Sequence, residues 1–125
     1  MRIGMVLMDG QGFPPDIRVE KESKSLAQAG HEVFILARKV VNNAPDTEFL
    51  QNLGATVVRV DVPKGNKLSK ALFAMMVYDF HWKEPIDRFV KSYNLQVLHV
   101  HDLEGVPAVQ NIARRRGVPV VADLH

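Results

Sequence analysis

Two histidines and two carboxylates are grouped in one short stretch of the sequence. His99 and His101 are separated by one residue, and Asp102 and Glu104 follow closely. Residues two apart in a strand lie on the same face, so we expect the two imidazoles side by side. Imidazole donates or accepts protons near neutrality, which predicts a hydrogen-bonding or general acid–base role for His101 at its strand end. His99 lies one pleat deeper, and we interpret it as a core histidine whose ring nitrogens are satisfied.

A second group of candidates lies in the loop that follows the first apolar run. Gly10 and Gly12 allow backbone conformations in which an anion approaches main-chain amides near a helix N-terminus. A dinucleotide fingerprint would need a third glycine where Pro15 stands, and the second strand ends in Arg38 instead of an acidic ribose ligand. The loop therefore disfavours NAD-type binding. Two interpretations stay open, a plain turn and a contact to a phosphate or sugar.

Metal ligation is a further chemistry that these strand ends could support. His101, Asp102 and His125 have suitable side chains, but no pair has the fixed helical spacing of a specific site. The sequence contains no cysteine, which excludes disulfides and thiolate metal sites. We therefore expect neither a metal nor another cofactor.

Apolar runs and helical periodicity predict the elements that position these residues. Strands are expected at residues 2–8, 32–37, 55–60, 96–101 and 118–123. Helices are expected at residues 17–29, 45–53, 67–82, 86–93 and 107–116. Asp16 fits the N-cap of the first helix, Pro45 and Gly54 bracket the second, and Pro85 separates the third from the fourth. Gly117 closes the last helix.

This alternation predicts an α/β fold for residues 1–125, taken as a single domain. The fold class is a Rossmann-like, doubly wound parallel sheet of about five strands with helices on both faces. Right-handed crossovers limit the strand order to 3-2-1-4-5 or 2-1-3-4-5. Ligands bind such sheets beyond the carboxyl ends of the strands, where both candidate groups lie. No helix follows the fifth strand, which predicts that the chain is cut from a longer protein.

The composition is that of an ordinary globular domain. Apolar residues make up 46% and charged residues 24%, and the formal net charge of +2 is too small to predict nucleic-acid binding. The N-terminus lacks the pattern of a signal peptide, and no apolar run approaches the roughly 20 residues of a membrane span. We expect a cytoplasmic protein. A surplus of aromatic residues at Phe73, Phe80 and Trp82 could line an acceptor pocket or contact a membrane surface.

Two stretches of the chain resemble family-four retaining glycosyltransferases. Residues 13–36, FPPDIRVEKESKSLAQAGHEVFIL, contain D-x-R-V-x-x-E and then A-G-H-E-V. Residues 97–125, VLHVHDLEGVPAVQNIARRRGVPVVADLH, contain H-x-H-D and then P-V-V-x-D-x-H. A-G-H-E-V is common in Rossmann-like domains, whereas the ordered combination is more specific.

The resemblance implies the N-terminal, acceptor-side domain of a GT-B enzyme, whose C-terminal domain holds a nucleotide-sugar. The implied reaction is retaining, hexosyl-type transfer to an acceptor hydroxyl without a metal, and it leaves sugar, lipid and polysaccharide acceptors open. The implied catalytic residue is His101, beside the reacting sugar or acceptor hydroxyl. The implied substrate-binding residues are Gly10 and Gly12 at the donor diphosphate, Asp16 and Arg18 in the first loop, and Asp102, Glu104 and His125 in the cleft.

The donor half of such an enzyme has no counterpart in this sequence. The family's donor site carries two glutamates eight positions apart, and no two glutamates here have that spacing. We therefore expect this chain by itself to lack transfer activity. Because the donor pocket would lie elsewhere, the chain alone should bind a nucleotide-sugar weakly or not at all.

Three other classes of protein are alternatives to the transferase. A non-catalytic, Rossmann-like module that binds a nucleotide or phosphate is the main alternative, and it predicts tight binding by this chain alone. A phosphoryl-receiver domain is disfavoured because Asp9 stands alone after the first strand and no lysine follows Gly117. An independent hydrolase is disfavoured because no serine or cysteine nucleophile lies near a strand end.

Overall fold

The computed structural model describes residues 1–7, 13, 16–62, 71–101 and 105–123. The elements are strand β1 (Arg2–Val6), helix α1 (Ile17–Gln28), strands β2 (Glu32–Arg38), β3 (Thr47–Leu50) and β4 (Ala55–Val60), helix α2 (Ala71–Tyr93), strand β5 (Val97–Val100), helix α3 (Val106–Arg116) and strand β6 (Val120–Ala122). The α/β fold expected from the alternating pattern is confirmed.

The described strands form one sheet in the order β3-β4-β2-β1-β5-β6. All neighbouring strands are parallel except β3 and β4, which are antiparallel. Without β3, this order is 3-2-1-4-5 in the numbering of the five predicted strands, one of the two orders expected. From β1 the sheet grows through β2 in one direction and through β5 in the other. The switch point of the sheet therefore lies between β1 and β5.

The short helix predicted between Pro45 and Gly54 is wrong. Residues in this segment form the edge strand β3, in which Phe49 pairs with Thr56 of β4. Glu48 forms an ion pair of 2.9 Å with Arg59 of β4. Proline and glycine determine only the ends of the segment, whereas antiparallel pairing with β4 satisfies backbone groups of the four residues Thr47–Leu50.

Pro85 lies within a continuous helix and does not separate two helices, contrary to the prediction. Helix α2 runs from Ala71 to Tyr93, and Ile86 and Phe89 are buried on its inward face. We attribute its continuity to the packing of this face, which offsets the backbone hydrogen bond that proline cannot make. Trp82 is fully buried, so it belongs to the core and not to an exposed aromatic surface. None of the helices among the described residues is both long and apolar enough to span a bilayer.

The two faces of the sheet have different cores. Leu98 and Val100 of β5 pack against the α2 and α3 side. The opposite side is formed around Met5 and covered by α1. His99 lies level with Met5 and with Val121 in the parallel ladders, so β5 presents its histidines to the α1 side. Val121 on that side is 53% exposed, and the histidines therefore lie where the cover of α1 ends.

Helix α3 is fixed at its C-terminus by a charged contact with α2. Arg116 donates two hydrogen bonds of 2.7 and 2.9 Å to the Asp87 carboxylate, and these bonds hold the pKa of Asp87 below its ordinary value. Gly117 follows in the left-handed conformation, with φ of 68°. The predicted glycine cap of α3 is thus confirmed.

Gly4 allows β1 to pass close beneath the α2 side of the core. A Cβ at this position would collide with Leu95 and lie 2.9 Å from Phe89 Cε2 and 3.1 Å from Leu98 Cδ2. The position therefore has no room for a methyl group.

We expect Gly4→Ala to lower the free energy of unfolding by about 1–3 kcal/mol, because it overpacks this core. Urea unfolding followed by the fluorescence of Trp82 measures the change. The control is the double variant Gly4→Ala with Leu95→Ala, in which the new methyl group occupies part of the space that leucine leaves. Its cost should be smaller than the sum of the two single costs, and strict additivity would contradict the packing argument.

Candidate functional site

The carboxyl edge of the sheet is extended by one residue beyond both β5 and β6. The His101 amide donates to the Val6 carbonyl at 3.3 Å, and the Asp123 amide donates to the Val100 carbonyl at 2.9 Å. Both bonds continue the parallel ladders, so the backbones of these two residues are fixed. His101 consequently lies at the switch point between β1 and β5.

Helix α1 brings an acidic side chain to the same edge. Its N-cap is Asp16, whose carboxylate accepts from the Val19 amide at 3.2 Å, as predicted from the sequence. Val19 and Ser23 are fully buried, and the Ser23 hydroxyl donates to Met5 Sδ at 3.4 Å. These contacts fix α1 over β1, and Glu22 of α1 reaches the histidines of β5.

Glu22, His99, His101 and Asp123 form one compact group, named here the histidine–carboxylate cluster. The two imidazole rings stack with centroids 4.2 Å apart, so the prediction that they share a strand face is confirmed. Glu22 Oε2 lies 3.8 Å from His99 Nδ1 and 3.7 Å from His101 Nε2. Asp123 Oδ2 lies 4.0 Å from His101 Nδ1. One ligand-type atom from each residue lies within 4.8 Å of those of the others.

The cluster is partly shielded from water, and several of its buried polar atoms are unsatisfied. The His101 side chain is 1% exposed, and neither of its ring nitrogens has a hydrogen-bond partner in the described part of the chain. His99 Nε2 and Glu22 Oε2 are also buried atoms without a hydrogen-bond partner among the described residues. The interpretation of His99 as a satisfied core histidine is therefore wrong. A buried polar group without a partner costs about 1–3 kcal/mol, so the cluster favours a ligand that supplies the missing contacts.

The surroundings of His101 keep its imidazole neutral. The pKa of His101 is lowered from 6.5 to about 4, mainly by burial and also by the neighbouring His99 and Arg18, while Asp123 and Asp16 act in the opposite direction. Because the ring is neutral at pH 7, one of its nitrogens carries a lone pair that can accept a hydrogen bond or bind a metal ion.

The structure brings together three of the residues that the sequence singled out. Asp16 and Arg18 lie close enough to His101 to influence its charge. Arg18 Nε is buried and has no hydrogen-bond partner among the residues described. The other candidates, Gly10, Gly12, Asp102, Glu104 and His125, lie outside the described residues. The roles of the whole set in substrate binding remain predictions.

Arg59 connects the far side of the sheet to the loop that precedes α1. It is buried on β4 and donates to the Phe13 carbonyl at 3.3 Å and to the Pro45 carbonyl at 3.0 Å. Phe13 itself is only 3% exposed and packs in the core beneath α1. This pair anchors the first loop just ahead of Asp16, and sequence reasoning did not identify it.

A cavity of about 580 Å³ lies between β4 and α2, with Val58, Val60, Arg88, Phe89 and Tyr93 among its lining residues. The cavity shares no residue with the histidine–carboxylate cluster. Val58 and Val60 contact the core on the α2 side, whereas the cluster lies on the α1 side. We therefore treat the cavity as separate from the candidate site.

Comparison with known families assigns the chain. Residues 15–125 match the model of the glycosyl transferase 4-like domain. The chain belongs to this family. The matched region includes the whole histidine–carboxylate cluster together with Asp16 and Arg18. Comparison with curated proteins gives no match.

Solved structures show the same fold in larger glycosyltransferases. Sucrose-phosphate synthase from Thermosynechococcus elongatus superposes with a TM-score of 0.71 at 15% identity, over 98% of this chain and 32% of that one. A UGT transferase from Siraitia grosvenorii in complex with UDP gives 0.63 at 14% identity, over 97% and 27%. This glycosyl transferase 4-like domain thus spans about a third or less of those chains. Family and fold together identify a GT-B glycosyltransferase domain.

The fold by itself is not restricted to sugar transfer. The C-terminal domain of a hydrogenase from Pyrococcus furiosus superposes with a TM-score of 0.67 at 18% identity, over 98% of this chain and 89% of that domain. At such identities the superposition reports architecture only. The chemistry of the glycosyl transferase 4-like domain has to be argued from its site.

Glu22 and Asp123 are the cluster members that sequence reasoning did not select. Glu22 is the last residue of the D-x-R-V-x-x-E motif, and Asp123 follows the last predicted strand, so both signals are visible in the sequence. Both predicted strand orders place β6 beside β5, whereas the position of α1 over β1, which brings Glu22 to the histidines, is not specified by local periodicity. Of the three possible metal ligands considered from the sequence, His101, Asp102 and His125, only His101 belongs to the histidine–carboxylate cluster.

The geometry of Asp16 predicts a structural contribution that is separable from substrate binding. Asp16→Ala should lower the free energy of unfolding by about 1 kcal/mol, because the Val19 amide loses its capping acceptor. Asp16→Asn keeps an acceptor oxygen and should retain most of that stability. Urea unfolding of the two variants checks the difference, and equal losses would refute the capping role.

Proposed function

We propose that this domain is the N-terminal, acceptor-side half of a retaining glycosyltransferase. The enzyme moves a sugar, of hexosyl type, from a nucleotide-sugar to an acceptor hydroxyl on a sugar, lipid or polysaccharide. Family membership supports the reaction class. The observation that carries the proposal is a buried His101 at the switch point of the sheet, where ligands bind doubly wound folds.

The chemistry of transfer suits a neutral imidazole at this position. As the acceptor oxygen bonds to the anomeric carbon and the bond to the departing diphosphate breaks, the hydroxyl proton passes to the free nitrogen of His101. The lone pair of His101 accepts a hydrogen bond from that hydroxyl and so orients the attacking oxygen. The proposed step uses no cofactor.

Charges around His101 support the same proposal. Glu22 and Asp123 stabilise positive charge that develops on the imidazole, since their carboxylates lie within 4.0 Å of its nitrogens. Arg18, which is half-buried, supplies a cation beside this point, suited to an anionic group of substrate. Gly10 and Gly12 complete the proposed diphosphate contact. A second domain holds the nucleotide, and the proposed location is cytoplasmic.

We expect His101→Ala to reduce turnover by about 10²-fold in the protein that joins this domain to its donor domain, because the acceptor loses its hydrogen-bond partner. The measurement is kcat at saturating donor and acceptor. His31→Ala is the matched control, because His31 precedes β2 at the opposite edge of the sheet and should leave kcat unchanged. A folded His101→Ala variant with normal turnover would remove His101 from the reaction.

The glycosyl transferase 4-like domain alone should bind nucleotide-sugars weakly or not at all, because the donor pocket belongs to the other half. Calorimetric titration of this chain with UDP-, GDP- and ADP-glucose tests the expectation. Tight binding, with Kd in the low micromolar range, would instead support a non-catalytic nucleotide- or phosphate-binding module, the alternative that the sequence leaves open.

A further inference from the structure

We propose that the cavity between β4 and α2 is a binding site for a neutral sugar of one or two rings. Its volume is about 580 Å³, within the range of roughly 300–1,000 Å³ that small-molecule sites occupy. It shares no residue with the histidine–carboxylate cluster. The proposal therefore adds a second binding site to the domain and does not rest on the proposed transfer reaction.

The floor of the cavity is a part of the sheet that α2 covers incompletely. Strand β4 lies in the interior of the sheet, between β3 and β2. Its residues alternate between buried on the α1 side and half-buried on the α2 side, where Val58 and Val60 lie. Thr47, Val58 and Leu36 are level across β3, β4 and β2. Half-buried valines on an interior strand leave an apolar surface on which the face of a ligand can pack.

Helix α2 supplies the wall opposite this floor. Its lining residues recur at helical spacing and so form one stripe along the helix, consisting of Pro85, Arg88, Phe89, Ser92 and Tyr93. Phe89 is 2% exposed, whereas Arg88 and Ser92 are exposed to solvent. The wall is therefore apolar and aromatic where it meets the core and polar where it meets water.

One end of the cavity lies at the carboxyl edge of the sheet. Lys39 and Asp61 line it, and they directly follow β2 and β4. The Lys39 amide donates to the Val60 carbonyl at 2.8 Å, so the β2–β4 ladder fixes the backbone at this end. Ligands of doubly wound sheets bind at this edge. Because β1 lies between β2 and β5, the entrance is separated from His101 by one strand.

The charges around the cavity favour a neutral ligand. Each cation among the described lining residues already has a carboxylate partner, in the pairs Lys39–Asp46 at 2.7 Å, Arg59–Glu48 at 2.9 Å and Arg88–Glu84 at 3.0 Å. An anionic ligand would compete with these carboxylates and would be repelled by Asp46 and Asp61. A hydroxyl group can instead add to an existing pair, because an ammonium has three donors and a carboxylate has two acceptor oxygens.

A sugar ring matches both kinds of surface in the cavity. Each of its hydroxyl groups donates and accepts, which suits a rim that carries ammonium, guanidinium, carboxylate and hydroxyl groups. The C–H groups of the ring are apolar and suit Leu36, Val58 and Phe89. A wholly apolar ligand would remove the polar rim from water without replacing its hydrogen bonds, which is costly.

The test is titration of the chain with maltose and with cellobiose, followed by the amide resonances of the folded protein. We expect saturable shifts at Val58, Val60 and Ser92 with at least one of these two glucose disaccharides. Glucose 6-phosphate should bind no more tightly than glucose, because the lining cations are already paired. The absence of saturable shifts with both disaccharides would overturn the site. Shifts centred on His99 and His101, or tighter binding of the phosphate, would equally contradict the proposal.

Two variants on the exposed part of the α2 stripe test the location. Arg88→Ala removes a charged donor from the rim and should weaken binding by ~3–10-fold. Ser92→Phe places a ring in the mouth of the cavity and should abolish the shifts. The matched controls are Arg114→Ala and Asn111→Phe, at exposed positions of α3 outside the cavity lining, and both should bind like the parent chain.

Unchanged affinity in both folded cavity variants would remove the sugar from this cavity, as would an equal loss in the two α3 controls. None of these measurements uses a nucleotide-sugar or depends on turnover. Their failure therefore leaves the proposed transfer reaction standing, and loss of transfer in His101→Ala leaves this site standing.

Discussion

Parallel pairing of β1 with both β2 and β5 is the constraint on which the rest of the structure depends. It creates the switch point, and it sets the register in which His99 lies level with Met5. Because side chains alternate along a strand, that register gives Leu98 and Val100 to one core and both histidines to the other side. A slip of one residue would reverse this assignment and place the imidazoles beneath α2 and α3.

Local sequence patterns predicted the elements that carry their own signals. The five parallel strands, the Asp16 cap and the Gly117 cap all follow from residues that lie next to one another in the chain. The wrong predictions concern segments whose secondary structure is determined by contacts with residues distant in the sequence. Residues 47–50 form a strand because β4 offers an edge, and α2 continues through Pro85, as we infer, because its inward face is held by the core.

The residues of the candidate site likewise differ in whether local sequence or distant contacts determine their positions. His101 could be predicted as a site residue because its side-chain type and its position at the end of a strand both follow from the local sequence. The partner Glu22 could not, since it meets His101 only through the packing of α1 over the sheet. Asp123 follows a strand that both predicted orders place beside β5, but its side chain was not identified as a partner of His101. The resulting cluster leaves buried nitrogens unsatisfied, which opposes stability. Such an arrangement is typical of a site shaped for a ligand.

The separation of the cluster residues along the chain has a consequence for synthesis. Glu22 emerges from the ribosome about a hundred residues before Asp123, and β6 is the last strand to pair. During translation, β1, α1, β2 and β4 can associate while the edge of β1 that later receives β5 is still open. The site therefore forms only after Asp123 has been synthesised and β6 has paired with β5, so a ligand of the cluster would discriminate between copies of the domain with and without this strand in place.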